Sequence, residues 1–257
     1  MSERSVAAGS DRPDALAATG PGLPAKPEGR TGRSGARRGG PGQPEGGAQR
    51  ANQVAEYRVL SRTERFDNKM FRVVTDEVTM PGERVVARDY MVHIGAVGVV
   101  AVDESDRVVL VRQYRHPVGR HLWELPAGLI DVDGEALDRA ALRELEEETD
   151  LTAGRIDLLA DAHTSPGCSN EVIRLFLARD LREVPHDRRH VRRDEEAGMT
   201  TRRFDLDEAV AMALRGEITN AACLVGVLAA ARVRDEGWTI RRNLDEPLPR
   251  EPLADVS

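Results

Sequence analysis

Residues 128–151, GLIDVDGEALDRAALRELEEETDL, constrain this chain more than any other stretch, because they set an amphipathic helix and a cluster of acids in conflict. Idealised at about 100° per residue with Leu137 at zero, the helix puts Ala141 at about +40° and Leu145 at about +80°, and these form the apolar stripe. Glu144 then falls at about −20° and Glu148 at about +20°, bordering the stripe, while Glu146 sits at about 180° and faces water. A solvated face laced with charge pairs would carry its acids opposite the stripe. Only Glu146 does so. Two carboxylates one turn apart beside a core repel each other and are costly to desolvate. A bound cation removes both penalties, and an all-oxygen ligand set suits a hard divalent ion, Mg²⁺ or Mn²⁺.

The rest of the chain leaves room for one domain around this helix. With 257 residues, 40% of them hydrophobic, the chain has enough apolar content for a full-sized core and an additional segment. That segment is at the front. Residues 1–50 hold 11 of the 23 glycines and 6 of the 14 prolines, with no aromatic residue. Such a composition buries too little apolar area to offset its ordering entropy, so residues 1–52 are expected to be a disordered tail. The tail has eight Lys/Arg against five acids, so of the formal −7 the remainder carries about −10. Its basic charge is diluted by Gly and Pro, which argues against nucleic acid as a partner. The first ten residues lack the apolar core of a secretory signal, and the longest apolar runs, 94–102 and 221–231, are too short to span a bilayer. Cys168 and Cys223 have neither CxxC spacing nor a partner His motif, as expected of a cytoplasmic chain without disulfide or zinc.

Along the chain, 71–75 and 84–90 flank Met80-Pro81-Gly82, a hairpin signal. The apolar run 94–102 has strand length, and 107–115 forms a further strand entered through a turn at 103–106. A loop over 126–134 leads into the acidic helix at 135–149. Residues 156–162, 172–178 and 200–204 complete the strands. Helices follow at 207–215, with Asp205 as N-cap, and at 220–233, capped by Asn220. Strands interrupted by few helices, without a βαβ rhythm, predict an α/β fold with a mixed sheet between helices.

The acidic segment resembles the Nudix box, G-x5-E-x7-R-E-U-x-E-E-x-G-U, with U aliphatic. Here Gly128 is followed by six intervening residues before Glu135; Arg143-Glu144, Leu145, Glu147-Glu148 and Leu151 then fall in register, and Asp150 stands at the second glycine. Asp is among the residues that tolerate the left-handed geometry of a helix end, so the substitution is expected to leave that end intact. The resemblance implies a Nudix-type α/β/α sandwich over 94–235, N-terminal strands at 53–93 serving dimerisation, and a C-terminal extension at 236–257. Segments 111–115, 122–128, 164–167 and 214–218 look like the ADP-ribose pyrophosphatase branch, and Pro166, sixteen residues past Asp150, matches its marker proline. This implies a homodimer that hydrolyses ADP-ribose, a small nucleotide substrate, to AMP and ribose 5-phosphate.

Roles implied by the resemblance transfer residue by residue. The Ala127 carbonyl, Glu144, Glu147 and Glu148 would hold Mg²⁺, and Glu135 would orient the loop and ligands. Arg115 would contact the diphosphate and Glu124 the substrate beside it, whereas Trp123 is read as core packing. The general base is expected on a loop at 192–199, where Glu195 and Glu196 are adjacent. The branch places the functional acid second, which selects Glu196 as base and further metal ligand, with Glu171 as fallback. Two rival readings stand beside this one: a Nudix hydrolase for another nucleoside diphosphate derivative, and a Nudix-like ligand sensor without catalysis. Intact box acids, and only 24 residues after Val233, disfavour the sensor.

Overall fold

In the computed structural model, described over residues 57–192 and 198–249, the apolar run predicted as a strand is the centre of the molecule. Strand β4 (Ala96–Ala101) is buried at every residue, because both faces of its sheet are covered. Val97, Val99 and Ala101 point to one core, where Ala140, Ala141 and Leu145 of helix α1 (Leu137–Thr149) pack on them. Ala96 and Val100 point to the other core, against Cys223, Val227 and Ala230 of helix α3 (Ala221–Asp235) and Ala209 and Met212 of α2 (Leu206–Leu214). Helices on opposite faces of a mixed sheet make the expected α/β/α sandwich.

The central sheet runs β7-β4-β9-β8, with β7 (Ala127–Leu129), β8 (Leu151–His163) and β9 (Val172–Glu183). β4 and β9 are parallel, whereas β7 and β8 pair antiparallel to their neighbours. A second sheet, β10-β5-β6, joins β10 (Thr200–Asp205), β5 (Arg107–Arg115) and β6 (Arg120–Glu124). A third, β1-β2-β3, is an antiparallel meander of β1 (Arg58–Asp67), β2 (Phe71–Thr79) and β3 (Val85–His93). The predicted hairpin closes β2 on β3 through Gly82 and Glu83, both in left-handed backbone. Among the described residues no helix is long and apolar enough to cross a membrane.

Several boundaries differ from the sequence reading, each for a local reason. The acidic helix starts at Leu137, not at Glu135, because Gly134 turns with φ 77° and Glu135 reaches forward to Arg143 instead of joining the first turn. The predicted loop over 126–134 contains β7, whose short backbone pairing with β4 leaves no alternating pattern to read. β8 begins at Leu151 instead of Ile156. Asp150, at φ 57°, turns the chain from helix to strand in one residue. Asp205 occupies the N-cap of α2 without a side-chain capping bond, while Asn220 Oδ1 accepts from the Cys223 amide at 2.9 Å as expected. The expected tail, residues 1–52, and the loop acids Glu195 and Glu196 lie outside the described residues.

The described part of the C-terminal extension is tied to the central sheet. Arg174 of β9, only 1% exposed, donates to both oxygens of Asp161 of β8 through its Nε and Nη2 atoms, at 2.8 and 3.1 Å. It also donates to the carbonyls of Glu246 and Pro247 at 2.7 and 3.0 Å. Arg242 joins Asp161 from the extension at 2.8 Å. Trp238 packs against the α2–α3 core with the Arg179 guanidinium 4.4 Å from its ring centre.

Candidate active site

Helical periodicity delivers the two acids that the sequence singles out. Glu144 is 9% exposed and Glu148 5%, on the same side of α1 as its core stripe. Glu146, expected in water, is half-buried. Opposite them lies β7, held by the pairs Val97–Gly128 and Gly98–Ala127. Glu148 accepts a hydrogen bond from the Ala127 amide at 3.1 Å. Gly128 lies directly under Glu144: a Cβ built on it would fall inside the Glu144 carboxylate. The box glycine is therefore a matter of space, since only a residue without a side chain lets the helix bring this acid onto the strand.

Arg143 organises the remaining acids. Its guanidinium donates to Glu144 at 2.6 Å, to Glu135 at 3.1 and 3.3 Å and to Glu147 at 3.5 Å, with Asp131 3.8 Å away. Glu135, expected in the first helical turn, instead pairs with Arg143 from outside the helix. Burial pushes the Glu144 carboxyl above its ordinary range, against the opposing pull of Arg143, while Glu147 and Asp131 add repulsion. One guanidinium shared by four carboxylates leaves the cluster short of positive charge. A hard cation fits that deficit. Among the described residues no three His, Cys, Asp or Glu side chains converge on one point, so an ion here would take part of its shell from backbone oxygens or water, as Mg²⁺ commonly does.

Ala127 and Gly128, against which Glu148 and Glu144 rest, line a cleft of about 650 Å³ together with Arg115 and Glu124 and with Thr164 and Glu171. Arg115 and Glu124 stand together as a pair. The Arg115 Nε and Nη2 atoms donate to the Glu124 carboxylate at 3.0, 3.3 and 2.7 Å, and Gln113 adds a bond at 3.4 Å. Glu124 is 3% exposed, whereas the Arg115 side chain is 42% exposed. The arginine therefore presents itself to the cleft and the acid holds it from behind. Trp123 packs edge-on against Phe204, centroids 5.0 Å apart, as core rather than as a stacking ring.

Also lining the cleft, Glu171 accepts the Thr164 hydroxyl and lies 3.6 Å from His93 Nδ1. The Thr164-Ser165-Pro166 segment and Glu171 were legible as candidates, but His93 was not. It reaches the cleft from the end of β3, and nothing in its sequence neighbourhood signals that placement.

A NUDIX domain profile matches residues 92–224 of the chain. An ADP-ribose pyrophosphatase of Mycobacterium tuberculosis is 41% identical over 199 residues, which cover 77% of this chain and 94% of that protein. An ADP-ribose pyrophosphatase of Bacillus subtilis is 31% identical over 166 residues, 65% of this chain and 88% of that protein. The crystal structure of an ADP compounds hydrolase superposes with a TM-score of 0.63 at 18% identity, covering 74% of this chain and 100% of that one, a likeness of fold.

Proposed function

The chain belongs to the NUDIX domain family, and from that premise we propose that it is a Mg²⁺-dependent hydrolase that splits the pyrophosphate bond of ADP-ribose into AMP and ribose 5-phosphate. One observation carries the reading: two buried acids, Glu144 and Glu148, are set against Ala127 and Gly128, which line a cleft that Arg115 lines as well. The names of the two bacterial relatives support the choice of substrate.

Glu144, Glu147, Glu148 and the Ala127 carbonyl would share two or three ions, Mg²⁺ or in their place Mn²⁺, with no three of the carboxylates on one ion. When bound, such an ion neutralises diphosphate charge and lowers the pKa of a coordinated water. Arg143 bridges Glu135, Glu144 and Glu147 and offsets part of their mutual repulsion. Arg115, preset by Glu124, offers a planar cation to the diphosphate. Hydrolysis adds water across the P–O–P link: the attacked phosphorus gains the hydroxyl as its bond to the bridging oxygen breaks, and that oxygen leaves on the other phosphate, which takes the proton. Glu196 is our candidate for the base that takes the water's proton, and as a further ligand. The N-terminal sheet leaves Leu60, Phe66 and Val85 exposed, which supports a homodimer assembled through that sheet.

Turnover of ADP-ribose, GDP-mannose, NADH and 8-oxo-dGTP with Mg²⁺, compared as kcat/KM, tests the substrate. ADP-ribose is expected to lead the panel. A clear lead for any other member would replace it while keeping the family and the metal site.

A further inference from the structure

Resting on the metal reading above, we infer that Arg192 and Asp150 are a positioning pair that fixes the ligand-bearing last turn of α1 from outside the helix. The last carbonyls of a helix lack partners within it. In α1 the carbonyls from Leu145 to Glu148 all accept bonds near that end. Leu145 O accepts the Thr149 hydroxyl at 2.6 Å, and Glu146 O accepts the Asp150 amide at 3.0 Å. Glu147 O accepts Arg192 Nε at 3.0 Å, and Glu148 O lies 3.4 Å from the donating hydroxyl of Thr201. The two carbonyls bonded from distant sequence belong to Glu147 and Glu148, both assigned here as ligands.

Asp150 gives this arrangement its particular form. It stands where the box pattern has glycine and keeps the left-handed backbone that glycine would adopt, at φ 57°. Its carboxylate lies 2.9 Å from Arg192 Nη2, so the residue that ends the helix also holds the arginine that caps it. The contact is ionic more than directional. Asp150 Oδ1 and Arg192 Nη2 are both buried and have no aligned hydrogen-bond partner among the described residues. Buried atoms in that state are costly unless the charges on them are held together, which makes the pair interdependent.

The sign of the effect separates this role from a general charge effect. A guanidinium near a cation site repels the cation, so on charge alone Arg192→Ala would tighten metal binding. If Arg192 instead positions the turn, its loss weakens binding by about 10- to 100-fold, the usual consequence of removing a residue that orients ligands.

The experiment is Mn²⁺ titration of the full chain without substrate, followed by electron paramagnetic resonance, for wild type, Glu148→Gln, Arg192→Ala, Asp150→Asn and the double variant, with melting temperatures as the check on folding. Asp150→Asn keeps the left-handed turn and removes only the charge. Expected are weaker binding in Arg192→Ala and Asp150→Asn, and a double variant no weaker than Arg192→Ala alone. Unchanged or tighter binding in Arg192→Ala overturns the inference, as do additive losses in the double variant. If Arg192→Ala does not fold, Arg192→Gln takes its place, and wild-type or tighter affinity there overturns the inference. If Glu148→Gln binds Mn²⁺ as wild type does, the metal assignment itself fails and the pair's role falls with it. If only Glu148→Gln is impaired, the metal assignment stands without the pair.

Discussion

At the scale of single residues, the candidate site depends on space as much as on charge. Gly128 leaves the volume that the Glu144 carboxylate fills, so Gly128→Ala must push the acid off the strand while the strand itself can stay paired. The expected outcome is a loss of turnover of about a hundredfold or more, with a melting temperature close to wild type. Retained activity would mean that Glu144 is not held where the reaction occurs. Arg115 and Glu124 form a second unit. Arg115→Ala removes a charged hydrogen-bond donor and should raise KM by about 10- to 100-fold. Glu124→Gln should produce part of the same defect by releasing Arg115, and the double variant should be little worse than Arg115→Ala. Steady-state kinetics of the three variants checks this, and additive effects would give Glu124 a contact of its own with the substrate.

At the scale of elements, α3 approaches β4 closely because Gly226 faces it. A Cβ there would stand 2.8 Å from Val100 Cγ2 and 2.7 Å from Leu125 Cδ1. Leu125 can turn away, but Val100 is a β-branched side chain in a strand and cannot. Gly226→Ala should therefore lower stability by about 1 kcal/mol, an overpacking cost that exceeds the gain in helix propensity. Chemical denaturation measures it, and a stabilised variant would contradict the packing described. The elements also show what a sequence can and cannot reveal. α1 and β4 were legible because burial imposes a period: 3.6 in the helix, and an unbroken apolar run in the strand covered on both faces. The same period found Glu144 and Glu148. β7 was not legible, since three residues of backbone pairing carry no pattern, and neither was the start of β8, whose Thr152, Gly154 and Arg155 lack apolar alternation. Arg192 and Thr201 reach the helix end from 45 and 53 residues away, a relation that only the fold creates.

At the scale of the whole molecule, the described part of the C-terminal extension is anchored on the buried Asp161–Arg174 pair, which Arg242 joins. Burial alone would raise the Asp161 carboxyl, but hydrogen bonds from Arg174 and Arg242 outweigh it and hold the group below the usual carboxylate range. A depressed carboxylate stabilises the fold above its unfolded pKa of about 3.9, and that contribution is lost as pH falls through the lower folded value. Arg174→Met should cost about 3 kcal/mol at neutral pH, because Asp161 keeps only Arg242 as its charge partner. The deficit should shrink in acid below about pH 4, where Asp161 is protonated in the unfolded chain of both proteins. Denaturation midpoints across pH measure this, and a deficit independent of pH would remove Asp161 from the account. Across all three scales, the buried acids of α1, set on β7 within the NUDIX fold, are proposed to make the chain a metal-dependent hydrolase of ADP-ribose. That activity is tested most directly by separating the products after incubation of wild type and Glu148→Gln with ADP-ribose and Mg²⁺, with and without a chelator. Equimolar AMP and ribose 5-phosphate from wild type with Mg²⁺ alone, and at most about a hundredth of that rate from Glu148→Gln, is the result predicted. Undiminished product from Glu148→Gln, or from wild type with the metal stripped, would contradict it.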